Sequence, residues 1–145
     1  MPRVVIDTNV IVKGLFVKGS KQDKILRLVR YGRVRVFYSL EMMGELLRVI
    51  DYPKIRKSFW VDMDVVERYM ELVKRDGKVV VPAETILCRD AKDNMVLGTA
   101  MAAGKFGLTY LVTEDEDLLA VAEGMENVEV VTPKGFWELA KSGRV

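Results

Sequence analysis

Six acidic side chains, Asp7, Glu45, Asp90, Asp93, Asp115 and Asp117, stand where strand-like runs end or helix-like runs carry them. Gathered within a few ångströms, such carboxylates repel one another, and some are forced to take up protons unless a cation neutralises them. An all-oxygen donor set suits Mg²⁺ or Mn²⁺ rather than zinc. One such ion, or a pair, activates a water, orients it in line with a phosphorus and stabilises the departing oxygen. That chemistry needs no imidazole, and the chain has no histidine. Ser-His-Asp and Cys-His hydrolysis, imidazole general-base catalysis and His-based zinc motifs are thereby excluded. The lone Cys88 removes any thiolate-rich zinc site and cannot close an intrachain disulfide. That agrees with a reducing compartment, and because the chain lacks a membrane span and a secretory pattern we place it in the cytoplasm.

Each acid also has a plainer role open to it. Asp7 after a strand serves as a helix cap or turn residue, and Asp90 and Asp117 suit helix N-termini. Glu45 on a helix reads, by itself, as a solvated surface group. The joint placement is what points to chemistry, and that placement depends on the elements.

Arg3 to Ile6, Val34 to Tyr38, Lys78 to Val81, Leu108 to Val112 and Val128 to Val131 are β-branched runs that read as strands. Ser20 caps a helix carrying Ile25, Leu26 and Val29, and Ser39 caps another carrying Met43, Leu46, Leu47 and Ile50. Val65, Val66, Tyr69, Met70 and Val73 recur at helical spacing before Gly77. Lys92 to Ala103 is a helix stopped by Gly104, Leu118 to Ala122 a short one, and Thr132-Pro133 opens the last, with Phe136, Trp137 and Leu139. Asp51 to Asp62 is the least regular stretch and reads as an arm; Gly14 to Lys21 reads as a loop.

Strands alternating with helices imply a three-layer α/β/α sandwich around a parallel sheet of about five strands. Ligands of such sheets bind beyond the carboxyl ends of the strands. Asp7 ends the first strand, and Asp115 and Asp117 follow the fourth. Asp90 and Asp93 open the helix before that strand, and Glu45 lies about two turns into the helix after the second. With 145 residues, half of them hydrophobic, we expect one domain over residues 1–145. No apolar run approaches the roughly 20 residues of a membrane span, and the opening residues lack a secretory pattern.

With the order of motifs in hand, the chain resembles the PIN-domain nucleases. Val-Ile-Asp7-Thr8-Asn9-Val is similar to that family's opening strand, whose Asp binds metal with support from the polar residues after it. Gly-Glu45-Leu-Leu-Arg-Val-Ile-Asp-Tyr-Pro-Lys54 resembles the second acidic motif, including the Pro-Lys of one toxin-like branch. Cys88-Arg-Asp90-Ala-Lys-Asp93-Asn94 resembles the third, with Asp93 as its main acid, and Leu111-Val-Thr113-Glu-Asp115-Glu-Asp117 the fourth. The resemblance implies Asp7, Glu45, Asp93 and Asp115 as catalytic acids. Asp90 and Asp117 join them as metal candidates, and Thr8, Asn9, Asn94, Thr113, Lys54 and Arg56 are candidates for support or substrate contact. It also implies a metal-dependent endoribonuclease, often the toxin of a VapBC-type toxin-antitoxin pair and often a homodimer; RNA, an antitoxin and a second copy are the expected partners. Glu114 departs from the pattern, where relatives carry a small residue, and adds charge beside Asp115.

Charge supports a polyanionic substrate. Setting the six acids aside from 21 leaves 15 against 23 Lys and Arg, a surplus of +8. Lys54, Arg56 and Lys57 beside Phe59 and Trp60 combine phosphate-binding charge with faces for unpaired bases, although a solvated helix with core aromatics has the same pattern. Arg27, Arg30, Arg33 and Arg35 form a second candidate strip.

Rival readings meet specific obstacles. A receiver-type phosphorylation module needs an acidic pair after the first strand and an Asp after the third, where this chain has Asp7-Thr-Asn and Val-Val-Pro. A haloacid-dehalogenase-type phosphatase needs an Asp where Asn9 stands. Gly14 to Lys21 has Gly-Ser-Lys rather than the Gly-Lys-Ser order of a phosphate loop. The alternative from another class is an RNA-binding or scaffold PIN domain with little catalysis.

Overall fold

A computed structural model describes residues 1–121 and 124–145. The chain runs β1 (Arg3–Ile6), α1 (Thr8–Phe16), α2 (Lys21–Arg30), β2 (Arg35–Tyr38), α3 (Leu40–Ile50), α4 (Pro53–Ser58), α5 (Met63–Asp76) and β3 (Lys78–Val79). It continues through α6 (Ala91–Gly104), β4 (Thr109–Val112), α7 (Glu116–Ala120), β5 (Val128–Val131) and α8 (Pro133–Lys141). Among the described residues the five strands form one parallel sheet in the order β3-β2-β1-β4-β5. The order reverses direction between β1 and β4, the place where open parallel sheets hold ligands.

Strand alternation divides the interior into two cores. Val4 and Ile6 face α1, α2, α3, α5 and α8, with Leu26, Leu46, Tyr69 and Phe136 in that layer. Val5, between them, faces the opposite way, toward Phe37, Leu97, Leu111 and Leu118 and the α6 and α7 layer. The expected three layers are present, and the predicted strands lie within a residue or two of the observed ones. β3 is shorter than predicted, ending at Val79, although the Val80 N–H still donates to the Tyr38 carbonyl at 2.8 Å.

Several helices follow their caps. Ser20 accepts from the Asp23 N–H, Ser39 from the Met42 N–H and Thr132 from the Gly135 N–H. Three expectations need correction. Gly14 is not in a loop: Asp7 caps α1, whose Val10, Ile11, Gly14 and Leu15 are buried at helical spacing. The arm from Asp51 to Asp62 is more regular than expected, since Pro53 starts the short α4. The helix expected over Leu118–Ala122 starts earlier, at Glu116, because Asp115 caps it; its expected last residue, 122, lies outside the described residues.

Glycine permits two close crossings. A Cβ on Gly14 would stand 2.7 Å from Leu26 Cδ1 and 2.8 Å from the Gln22 carbonyl oxygen, so α1 crosses α2 there. A Cβ on Gly98 would collide with the Ala83 carbonyl oxygen. The Ala83 N–H donates to the Gly98 carbonyl at 2.9 Å, fixing the segment after β3 across α6. Where β1 and β2 begin, Pro2, Leu28, Val34, Trp137 and Val145 share a small cavity, so residues 2 and 145 lie side by side.

Candidate metal centre

At the carboxyl ends of β1 and β4 the chain turns into helices, and the capping side chains are the predicted acids. Asp7 Oδ1 accepts the Thr8 N–H at 2.8 Å, and Oδ2 accepts the Thr113 hydroxyl at 2.7 Å. The same Thr113 oxygen accepts the Asp115 N–H at 3.0 Å. One buried hydroxyl therefore ties Asp7 to Asp115 across neighbouring strands. Asp115 Oδ1 caps α7, taking the Asp117 and Leu118 N–H groups at 2.9 and 3.1 Å.

Asp93 reaches the same place from the first turn of α6. Carboxylate oxygens of Asp93, Asp115 and Asp117 all lie within 4.8 Å of one another. Burial, then the negative charges of Asp115, Asp90, Asp7 and Asp117, push the Asp93 carboxyl up to about 6. Asp7 is also raised, chiefly by burial; its hydrogen bonds from Thr113 and Thr8 oppose this, and the charges of Asp115 and Glu45 add to it. Buried Cys88 is raised by burial and by the fields of Asp93, Asp115, Asp117 and Asp90, which keeps its thiol protonated beside the acids. The cluster is electrostatically unfavourable as it stands, the condition a bound cation relieves.

Glu45 differs from the rest. It is buried, yet Oε2 accepts Arg48 at 2.6 Å and Oε1 faces the Lys92 ammonium at 3.3 Å. Burial raises its carboxyl, but the hydrogen bonds and charges of Arg48 and Lys92 outweigh that and hold it below its ordinary value. Asp117 also has an internal counter-ion, Arg89 at 3.2 Å. Asp90 is exposed and caps α6 through the Lys92 N–H at 2.8 Å.

The residues expected to support the site divide. Thr8 is buried and supplies its N–H to Asp7, while Asn9 is exposed in the first turn of α1. Asn94 clamps the preceding loop: its Oδ1 accepts the Cys88 N–H and its Nδ2 donates to the Cys88 carbonyl, both at 2.9 Å. Lys54 and Arg56 are on α4 rather than in the acidic cluster, and Arg56 pairs with Asp51 at 2.8 Å. Glu114 accepts from the buried Gln22 amide at 2.6 Å. In the second basic strip, Arg27 and Arg30 pair with fully buried Asp23, and Arg35 lies over the Phe37 ring.

A family model described as a PIN domain matches residues 3–117. The chain belongs to the PIN-domain family. The PIN match runs from β1 to the first turn of α7 and so includes all six acids. No curated protein gives a significant match.

Beside the PIN acids stand residues to which the sequence reading gave no role: Arg48, Lys92, Arg89 and Gln22. Only Glu45–Arg48 had a visible signal, the three-residue spacing that brings opposite charges together on a helix. The Lys92–Glu45, Arg89–Asp117 and Gln22–Glu114 partners are remote in sequence and meet only in the fold.

Proposed function

We propose that this PIN domain is a metal-dependent endoribonuclease that hydrolyses RNA phosphodiesters with Mg²⁺ or Mn²⁺. The observation that carries the reading is the meeting of Asp93, Asp115 and Asp117 oxygens within 4.8 Å, with Asp7 joined to Asp115 through Thr113. The donors are all carboxylate oxygens, the chemistry Mg²⁺ and Mn²⁺ prefer, and the raised Asp93 carboxyl marks the negative charge they would neutralise. Asp93, Asp115 and Asp117, with Asp7 beside them, would hold a divalent ion, which would supply charge neutralisation and water activation.

The protein's own groups do the positioning. Thr8 and Thr113 fix both oxygens of Asp7, and Asn94 fixes the loop that leads into Asp90 and Asp93. Glu45 acts mainly by holding the Lys92 ammonium of α6 against α3 at 3.3 Å, a cation on the α6 helix that also carries Asp93. Arg89, almost wholly exposed, places a second cation at the rim.

Family likeness supports assigning the chain as the toxin of a cytoplasmic toxin-antitoxin pair that works as a homodimer. Light scattering is expected to return a particle of two chains. The pairing of Glu45 and Asp117 with protein cations favours a second reading, a catalytically weak RNA-binding module. Incubation with a mixed RNA pool across a metal series separates the two. Cutting that needs Mg²⁺ or Mn²⁺ and is lost in Asp7→Asn, Asp93→Asn and Asp115→Asn supports the nuclease; RNA bound but uncut with every metal supports the weak module.

A further inference from the structure

The arm between α3 and α5 is anchored on one side and bare on the other. Ile55 and Phe59 pack against the larger core, and the Phe59 ring lies tilted on Phe16 with centroids 6.3 Å apart. The next residue, Trp60, is 90% exposed. Since Phe59 already pins the arm, the indole is not needed to hold it, and leaving so large an apolar surface in water forgoes substantial burial energy. From Tyr52 to Val61 the sequence has three cations, Lys54, Arg56 and Lys57, and no acid. Lys54 and Lys57 are exposed. The arm leaves the carboxyl end of α3, the helix whose Glu45 faces the Lys92 ammonium of α6 at 3.3 Å.

We propose that residues 52–61 form a platform for single-stranded RNA, in which Trp60 stacks on an unpaired base while Lys54 and Lys57 hold neighbouring phosphates and lead the strand past Lys92 to the acidic centre. The proposal rests on the RNA reading above and adds how unpaired strands are selected. Every base offers a π-face, so stacking on an exposed indole is tolerant of sequence, whereas bases inside a duplex are already stacked on one another. The six residues of α4 span about 9 Å, which sets Trp60 one short helix beyond the end of α3. The cations beside Trp60 complement a polyanion, the charge that an RNA strand carries at every phosphate.

The test is a titration that does not depend on cleavage. In a Trp137→Phe background Trp60 is the remaining indole. Its fluorescence is followed while an oligouridylate, or a blunt RNA duplex, is added in EDTA. The oligouridylate is expected to quench Trp60 and the duplex to leave it nearly unchanged. Trp60→Ala is expected to weaken oligouridylate binding about 10-fold, and Trp60→Phe to recover most of the loss. Changing Lys54 and Lys57 together to Gln lowers the slope of log affinity against log salt by about 1.4 for a single strand. Circular dichroism checks that these surface variants stay folded. Oligouridylate affinity unchanged by Trp60→Ala, or equal quenching by the duplex, overturns the platform. A chain that passes this titration yet leaves RNA uncut with Mn²⁺ keeps the platform and loses the nuclease assignment.

Discussion

Thr113 contributes one hydroxyl to the joint between Asp7 and Asp115, with hydrogen bonds of 2.7 and 3.0 Å. Replacing it with Val keeps the shape and removes the joint. Groups that orient metal ligands typically cost 10–100-fold in affinity or activity when lost, so Thr113→Val is expected to weaken Mn²⁺ binding by about that factor in isothermal calorimetry. Asp93 makes a prediction of defined sign. Its folded carboxyl is raised from 3.8 to about 6, so the folded chain binds a proton more readily than the unfolded one. Stability present at low pH is therefore lost as pH rises through about 6. In EDTA at pH 7.5, Asp93→Asn should melt above the wild type, and the gain should shrink towards pH 4.5; a constant difference would show that Asp93 feels no such field. The same proton competes with metal, so Mn²⁺ affinity should fall as pH drops below about 6. The acids themselves were legible in the sequence because Asp7, Asp93 and Asp115 each mark a strand end or a helix start. Their internal counter-ions were not, since Lys92 and Arg89 find their acids across many residues of intervening chain.

At the scale of elements, caps were the reliable signal. Ser20, Ser39 and Thr132 declared their helices, as did the apolar spacing of α5. α1 was missed because Val10, Ile11 and Val12 are β-branched and sit directly after a strand; the Asp7 cap and the close seat of Gly14 on α2 decide for helix. Packing against a neighbour not yet known is invisible to a local reading. The crossing at Gly98 gives a direct test. Gly98→Ala forces the Ala83 segment off α6 and is expected to cost about 1–3 kcal/mol in urea unfolding, against the small gain that Ala ordinarily brings within a helix. In α2, Asp23 is fully buried and accepts the Gly19 N–H at 2.9 Å, with Arg27 at 3.1 Å. Its carboxyl is pushed up by burial but held below its ordinary value by Gly19, Arg27 and Arg30. Asp23→Asn is expected to destabilise by about 1.5–3 kcal/mol, the worth of charge-assisted hydrogen bonds. No loss of metal affinity should accompany it, because Asp23 caps and pairs away from the acidic cluster.

For the molecule as a whole, the parallel sheet determines where function sits. Every strand points the same way, so the helix-capping acids after β1 and β4 come to one rim without any long excursion of the chain. That much followed from strand-helix alternation and the strand-end positions of the acids; the strand order and the division into two cores did not, because they depend on which neighbours each face meets. A cation that relieves the repulsion at this rim must stabilise the entire fold. At 100 times its dissociation constant it adds about 2.7 kcal/mol, or roughly 5–10 °C in melting temperature for a chain of this size. Scanning calorimetry with Mn²⁺ should show that rise in the wild type, and Asp115→Asn should abolish it.

Pro2 and Val145 line one cavity on the side where the strands start, away from the rim where they finish. A tag, a surface tether or a fused protein attached at either extremity therefore points away from the carboxylates. A short linker from residue 145 to residue 1 would close the chain into a ring, and new extremities could then be opened in a surface loop without shielding the chemistry.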